Sequence, residues 1–226
     1  MPHIWKLAPS DLTFLWDECP RCFYLKVVHH FSRPAAPFPK IFSRIDRLMK
    51  DHFSGRSTDT LSPGLPPGAL RFADLRVTSE LVWFPGHPRP CYLKGVADSL
   101  IAFADGSYGI IDFKTSEARP EHAAFYARQL HAYAYALEHP APGAPALGPI
   151  NRLGLFTVEP VLMEATISGQ IAYLGDVTWT EIPKDEAGFL TFLEGVLIVL
   201  ENPQPPGCHP ECKFCQYREE ARKRDY

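Results

Sequence analysis

Three residues carry the densest chemistry in this sequence. Asp98 closes the run Gly95-Val-Ala-Asp98, and Asp112 and Lys114 lie in Ile110-Ile-Asp112-Phe-Lys114-Thr115. Side chains of a strand alternate between faces, so Asp112 and Lys114 point one way and Phe113 the other. A carboxylate and an ammonium set among β-branched and aromatic neighbours would be costly in a plain core. They are tolerated where they meet each other, meet a metal or line a cleft. If the chain turns at Asp105-Gly106, Asp98 and Asp112 fall nearly opposite one another. Paired carboxylates repel, and a divalent cation between them removes the repulsion. A hard cation such as Mg²⁺ uses one or two carboxylates and keeps waters that a substrate can displace. Lys114 would then position or activate a water. The chemistry this suits is metal-assisted hydrolysis of a phosphodiester. The plainer alternative is a surface ion pair between Asp112 and Lys114.

Two further groups of residues have chemical potential. Gln129 and Tyr133 are four apart and share a helix face; together they can hydrogen-bond a phosphate, a base edge or a water on a metal. Otherwise they are polar residues at the rim of the core. Arg128 and His131 fall on other sides of that helix and are expected to face solvent. Five of the six cysteines sit near the chain's ends, Cys19 and Cys22 at one and Cys208, Cys212 and Cys215 at the other. Thiolates so spaced suit Zn²⁺ or an iron–sulfur cluster, which would staple the two ends together; small buried thiols are the bland reading. Cys91 reads as a packing residue, and His209 as a loop residue.

The elements that must position these residues follow from periodicity. Proline-rich connectors at 32–40, 62–68 and 139–149 must be loops. Helices are expected at 10–28 and 40–53, and strands at 75–84, 93–103 and 108–115, the last two joined by the turn 104–107. A helix follows, with Pro120 in its first turn and a stripe of Ala123, Ala127, Leu130, Ala134 and Leu137. Strands at 152–158, 162–168 and 171–182 and a helix at 185–200 complete the map. The residues 218–226 read as a solvated tail. The whole is α/β, a mixed sheet flanked by helices.

Composition sets outer limits. With 226 residues, 46% hydrophobic and 22% charged, the chain reads as one domain over 1–226, its segments 10–30 and 205–217 forming a metal-stapled appendage. No apolar stretch is long enough for a bilayer, and the first residues lack a signal pattern, so the expected location is the cytoplasm. A net charge of −3 excludes binding of nucleic acid by bulk charge alone. It leaves open a carboxylate site whose local sign a divalent metal reverses.

The order Gly95-x-x-Asp98, Ile111-Asp112-Phe113-Lys114-Thr115, Gln129-x-x-x-Tyr133 resembles the PD-(D/E)XK nuclease superfamily, and is most similar to its RecB-like branch. The opening Ser10-Asp-Leu-Thr-Phe and Cys19-Pro-x-x-Phe23-Tyr24 resemble that branch's first helix. The resemblance implies a restriction-endonuclease-like core and an Mg²⁺- or Mn²⁺-dependent DNA nuclease. Asp98 and Asp112 would be metal ligands, Lys114 the catalytic lysine, and Gln129 and Tyr133 substrate-holding groups. It implies DNA repair, recombination or defence as the setting, with a helicase or other nucleic-acid-processing protein as partner. It also implies a [4Fe-4S] cluster on Cys19, Cys208, Cys212 and Cys215. A zinc site on Cys19, Cys22, Cys212 and Cys215 is the alternative. Two departures stand out: Ala97 replaces the eponymous proline, and no histidine of the early helix fits the branch's extra ligand. Asp46, His52 or Glu80 remains to complete the site. The rival function is a catalytically silent nuclease fold that binds nucleic acid or protein.

Overall fold

The computed structural model describes residues 4–35, 37, 39–117 and 119–224, with only the backbone of Pro120 and His122. The first three residues, positions 36 and 38 of the first connector, position 118, and the last two residues of the tail lie outside it. Chain order gives β1 (Trp5–Leu7), a π-helical turn (Asp11–Leu15), α1 (Trp16–Glu18), α2 (Pro20–His29), α3 (Lys40–Phe53), β2 (Gly68–Thr78), β3 (Cys91–Phe103), β4 (Tyr108–Lys114), α4 (Pro120–Glu138), β5 (Ile150–Ala165), β6 (Ile171–Ile182), α5 (Glu186–Glu201) and α6 (Lys213–Lys223). The six strands form one mixed sheet in the order β1-β3-β4-β5-β6, with β2 paired to β3 as well. β1 runs parallel to the start of β3, β4 is antiparallel to β3, and β5 is parallel to β4. The α4 crossover makes that last pairing possible, since parallel neighbours need a long connection. Helices cover both faces, as the α/β expectation requires.

Two apolar layers hold the sheet. On one face, Leu100, Ile110, Leu153 and Leu155 pack with Leu130, Ala134 and Leu137 of α4 and Leu193 and Leu197 of α5. On the other, Ile101, Ile111, Phe113 and Phe156 pack under Met49 of α3. The rings of Phe53, Phe113 and Phe156 meet at 4.9–6.0 Å in that second layer. α5 begins at Asp185, whose carboxylate accepts the Gly188 N–H at 2.9 Å, an N-cap.

Several expected boundaries move, each for a physical reason. The first helix breaks at Cys19, which is extended (φ −169, ψ 102), so that Pro20 can open α2. β2 occupies 68–78 rather than 75–84. It starts at Gly68, where a Cβ would lie 2.6 Å from Ala102 O, so only glycine allows the close approach. Beyond Thr78 only isolated bridges continue, at Ser79 and Val82. The strands expected at 152–158 and 162–168 form one strand, β5, whose register against β6 slips between Pro160 and Leu162. A bulge is where a strand can carry proline. The tail is helical through Lys223, and β1 arises from only three residues, too few for periodicity to show. His131 is buried instead of solvent-facing. Its Nδ1–H donates to Ala127 O at 2.6 Å and its Nε2 accepts Asp185 N–H at 2.7 Å, tying α4 to the start of α5.

Candidate active site and cysteine cluster

Ladder pairing between β3 and β4 stops at Ser99 opposite Ile111. One residue further, Asp98 and Asp112 would face each other, and there the strands part. The Phe113 N–H donates instead to Asp98 Oδ2 at 3.2 Å, so a side chain takes over where the backbone ladder ends. This fixes the Asp98 carboxylate beside Asp112, within hydrogen-bonding reach. Lys114 forms an ion pair with Asp112 Oδ2, on the face that strand alternation assigns to both. Gln129 Nε2, from α4, donates to Asp112 Oδ1 at 3.1 Å and to Tyr133 Oη at 3.4 Å. The five residues singled out in the sequence are thus gathered where the β3–β4 ladder ends. Gly95 makes room for this: a Cβ there would stand 3.1 Å from Tyr133 Cε1 and 2.9 Å from Pro9 Cδ.

The electrostatics are those of a strained group. Asp112 is 2% exposed. Burial raises its pKa, the Lys114 charge lowers it, and the Asp98 charge raises it again, leaving it pushed up to about 7. Burial alone would lower the Lys114 pKa, but the Asp112 carboxylate outweighs it and the net shift is upward. The Lys114 ammonium also sits 4.3 Å above the Tyr126 ring, a cation–π contact. Burial first, then the Asp112 and Asp98 charges, hold Tyr133 above its ordinary range, so its hydroxyl stays protonated. Gln129 Oε1 is buried with no hydrogen-bond partner among the described residues. A buried acceptor left open is costly in an otherwise satisfied site.

The site opens to solvent through a groove lined by Phe42, Ser43, Asp46, Asp98, Phe113, Lys114 and Thr115. Of the three residues considered for completing it, Asp46 lines this groove. His52 packs edge-on against Phe53, and Glu80 lies 3.6 Å from His139 Nδ1, at the opposite end of α4. One residue that the sequence reading passed over is present: Lys50, whose Nζ is 3.1 Å from Asp98 Oδ1. Its only sequence signal is the four-residue step from Asp46.

A second cluster joins the ends of the chain. Cys19, Cys22, Cys212 and Cys215 place their sulfurs within 4.8 Å of one another, all buried. Three of the separations are 3.7–3.8 Å. Cys208 packs against the outside of this cluster, its Sγ 3.6 Å from Glu219 Oε1. The four cysteines gathered are therefore the Cys19, Cys22, Cys212, Cys215 set, not the set that includes Cys208. Cys19, the N-cap of α2, and Cys22, one turn on, present both thiols to the cluster. Four thiolates at about 2.3 Å from a central tetrahedral ion stand roughly 3.8 Å apart, which matches the short separations. Burial acts against the Cys19 thiolate, but the His209 and Cys22 backbone N–H groups and the Cys212 thiol outweigh it, lowering its pKa to about 7. Arg33 Nη2 lies 3.4 Å from Cys212 Sγ, a cation set against the thiolate charge.

Among the described residues no helix is long and apolar enough to cross a membrane. No curated protein sequence matches the chain. The solved structure of SSO0001 is similar in fold, with a TM-score of 0.53 at 17% identity, over 95% of this chain and 84% of that one. The model of the PD-(D/E)XK nuclease superfamily matches residues 68–219. That span runs from β2 into α6, takes in Asp98, Asp112, Lys114, Gln129 and Tyr133, and exceeds half of the sequence. The chain belongs to the PD-(D/E)XK nuclease superfamily.

Proposed function

We propose that this chain is a divalent-metal-dependent nuclease that hydrolyses phosphodiester bonds in DNA. The observation that carries this reading is the meeting of Asp98, Asp112 and Lys114 at the mouth of an open groove. The residues fit an Mg²⁺ or Mn²⁺ ion: two converging carboxylates offer the hard oxygen ligands it prefers, and the open Gln129 Oε1 offers a nearby acceptor for a water. A divalent ion bound there would supply positive charge to the phosphate and lower the pKa of the attacking water. Asp98 is held in register by the Phe113 N–H, and Asp112 by Gln129, so the two ligands are preorganised. Lys114 is a permanently charged donor at the edge of the groove, placed to hold the attacking water or a phosphate oxygen. Tyr133 keeps its proton and orients Gln129.

The tetrathiolate geometry supports a single Zn²⁺ ion as the structural metal of the terminal staple. Its role is to lock the start of α2 to α6, and with them the π-helical turn, whose Phe14 packs on Phe125 and Tyr126 of α4 at 4.9 and 5.4 Å.

The test is cleavage of single- and double-stranded DNA with and without Mg²⁺ or Mn²⁺, comparing wild type with Lys114→Ala. The expected result is metal-dependent cleavage that falls about 100-fold or more in the variant. Equal activity in both refutes the assigned chemistry. No cleavage by wild type on any substrate supports instead a nuclease fold retained for binding.

A further inference from the structure

α3 sends a charged group into the site that the reaction just described does not use. Lys50 Nζ lies 2.7 Å from Asp74 Oδ1, 3.0 Å from Asp46 Oδ2 and 3.1 Å from Asp98 Oδ1. The three carboxylates come from three elements, β2, α3 and β3. An ammonium has three donors and no acceptor, and here each of the three carboxylates stands within ion-pair distance. The Lys50 side chain is 9% exposed, while Asp74 and Asp46 keep much of their carboxylates in solvent.

The backbone is bent to complete this cradle. Phe72 and Asp74 have φ of 49 and 51, where β2 slips its register against β3 between Arg71 and Ala73. Left-handed backbone is strained at a non-glycine residue. The bulge turns Asp74, on an otherwise exposed part of the strand, toward Lys50.

The balance of charge in the site favours a single divalent ion while Lys50 is present. Asp46, Asp74, Asp98 and Asp112 face Lys50 and Lys114, leaving two net negative charges. One divalent cation neutralises that excess. Without Lys50 the excess is three, and Asp46, Asp74 and Asp98 form the oxygen cage that a second hard cation takes. Two-ion sites are one of the standard solutions for phosphoryl chemistry.

We propose that the Lys50 ammonium is a built-in cation that fills the Asp46–Asp74–Asp98 cradle, holds Asp98 in place and confines the site to one divalent ion. This rests on the metal-dependent reading above. Lys50 is a positioning residue; its tie is to Asp98, not to the reacting phosphate.

The experiment counts Mn²⁺ bound to the full chain by electron paramagnetic resonance, in wild type, Lys50→Met, Lys50→Arg and Asp74→Asn. Mn²⁺ is used because thiolates disfavour it, so the cysteine cluster does not compete. Wild type and Lys50→Arg are expected to bind one ion, and Lys50→Met two. Asp74→Asn, at a largely exposed side chain, is expected to bind one ion with affinity within about threefold of wild type. Two ions in wild type, or one in a folded Lys50→Met, overturns the proposal while leaving the nuclease reading intact. If Lys50→Met does not fold, Asp74→Asn decides: weakening beyond about tenfold means that Asp74 itself holds the divalent ion, which overturns the role of Lys50. A wild type that binds no Mn²⁺ refutes the metal-dependent reading and this proposal with it.

Discussion

Replacing Asp112 by asparagine should make the Mg²⁺-free protein more stable, and increasingly so as pH rises. Asp112 is 2% exposed and its pKa is raised from 3.8 to about 7, chiefly by burial. At about 1.4 kcal/mol per tenfold change in proton affinity, ionised Asp112 costs on the order of 4 kcal/mol relative to its protonated form. The sign follows from the direction of the shift. Below about pH 4 the group is protonated in folded and unfolded chains alike, and no cost appears. Between there and about pH 7 the unfolded chain loses its proton while the fold retains it, so stability drains away. Above pH 7 the full cost is present. Asparagine removes this dependence but takes from Lys114 its partner, which returns roughly 1–2 kcal/mol. The net expectation for Asp112→Asn is a gain of about 2–3 kcal/mol at pH 8 and none, or a loss, at pH 4. Urea unfolding of both proteins across that range, without Mg²⁺, measures it. Adding Mg²⁺ at pH 8 should then stabilise wild type and leave the variant unchanged, because only the native wild-type site binds the ion. A stability difference that is flat or falls with pH would show that Asp112 is not held against its charge, and the argument for a primed metal site would fail.

Three further outcomes follow from other parts of the structure. The purified protein should contain about one equivalent of zinc and be colourless, and Cys212→Ser should lose that zinc and unfold at lower temperature; a coloured, iron-containing protein would contradict the single-ion spacing. His131→Ala should cost about 1–2 kcal/mol in urea unfolding, because it strands the Asp185 N–H at the start of α5; an unchanged midpoint would mean that water replaces the imidazole there. Gly154→Ala should cost about 1–3 kcal/mol, since the new Cβ would fall 2.2 Å from Trp179 Cζ2 and a buttressed indole cannot simply swing away; a neutral effect would show that the ring is free to move.

What the sequence reveals of this site is what local chain geometry determines. Strand alternation alone places Asp112 and Lys114 together, the short turn between β3 and β4 brings Asp98 opposite, and a four-residue step stacks Gln129 beneath Tyr133. Each relation spans a short stretch or one hairpin, so periodicity reports it. Lys50 belongs to another category. Its neighbours Asp74 and Asp98 are 24 and 48 residues away, and one of them is aimed by a bulge with left-handed backbone at Phe72 and Asp74. A bulge breaks the very alternation that sequence reading depends on, which is also why β2 was expected seven residues too late. The cysteines show the same division. Spacing announces a thiolate site at the two ends, but which four sulfurs meet depends on how α2 packs against the start of α6, with Cys208 against the outside of the cluster. Short-range rules therefore name the groups that could bind metal, whereas long-range packing and a bulged strand decide which of them meet.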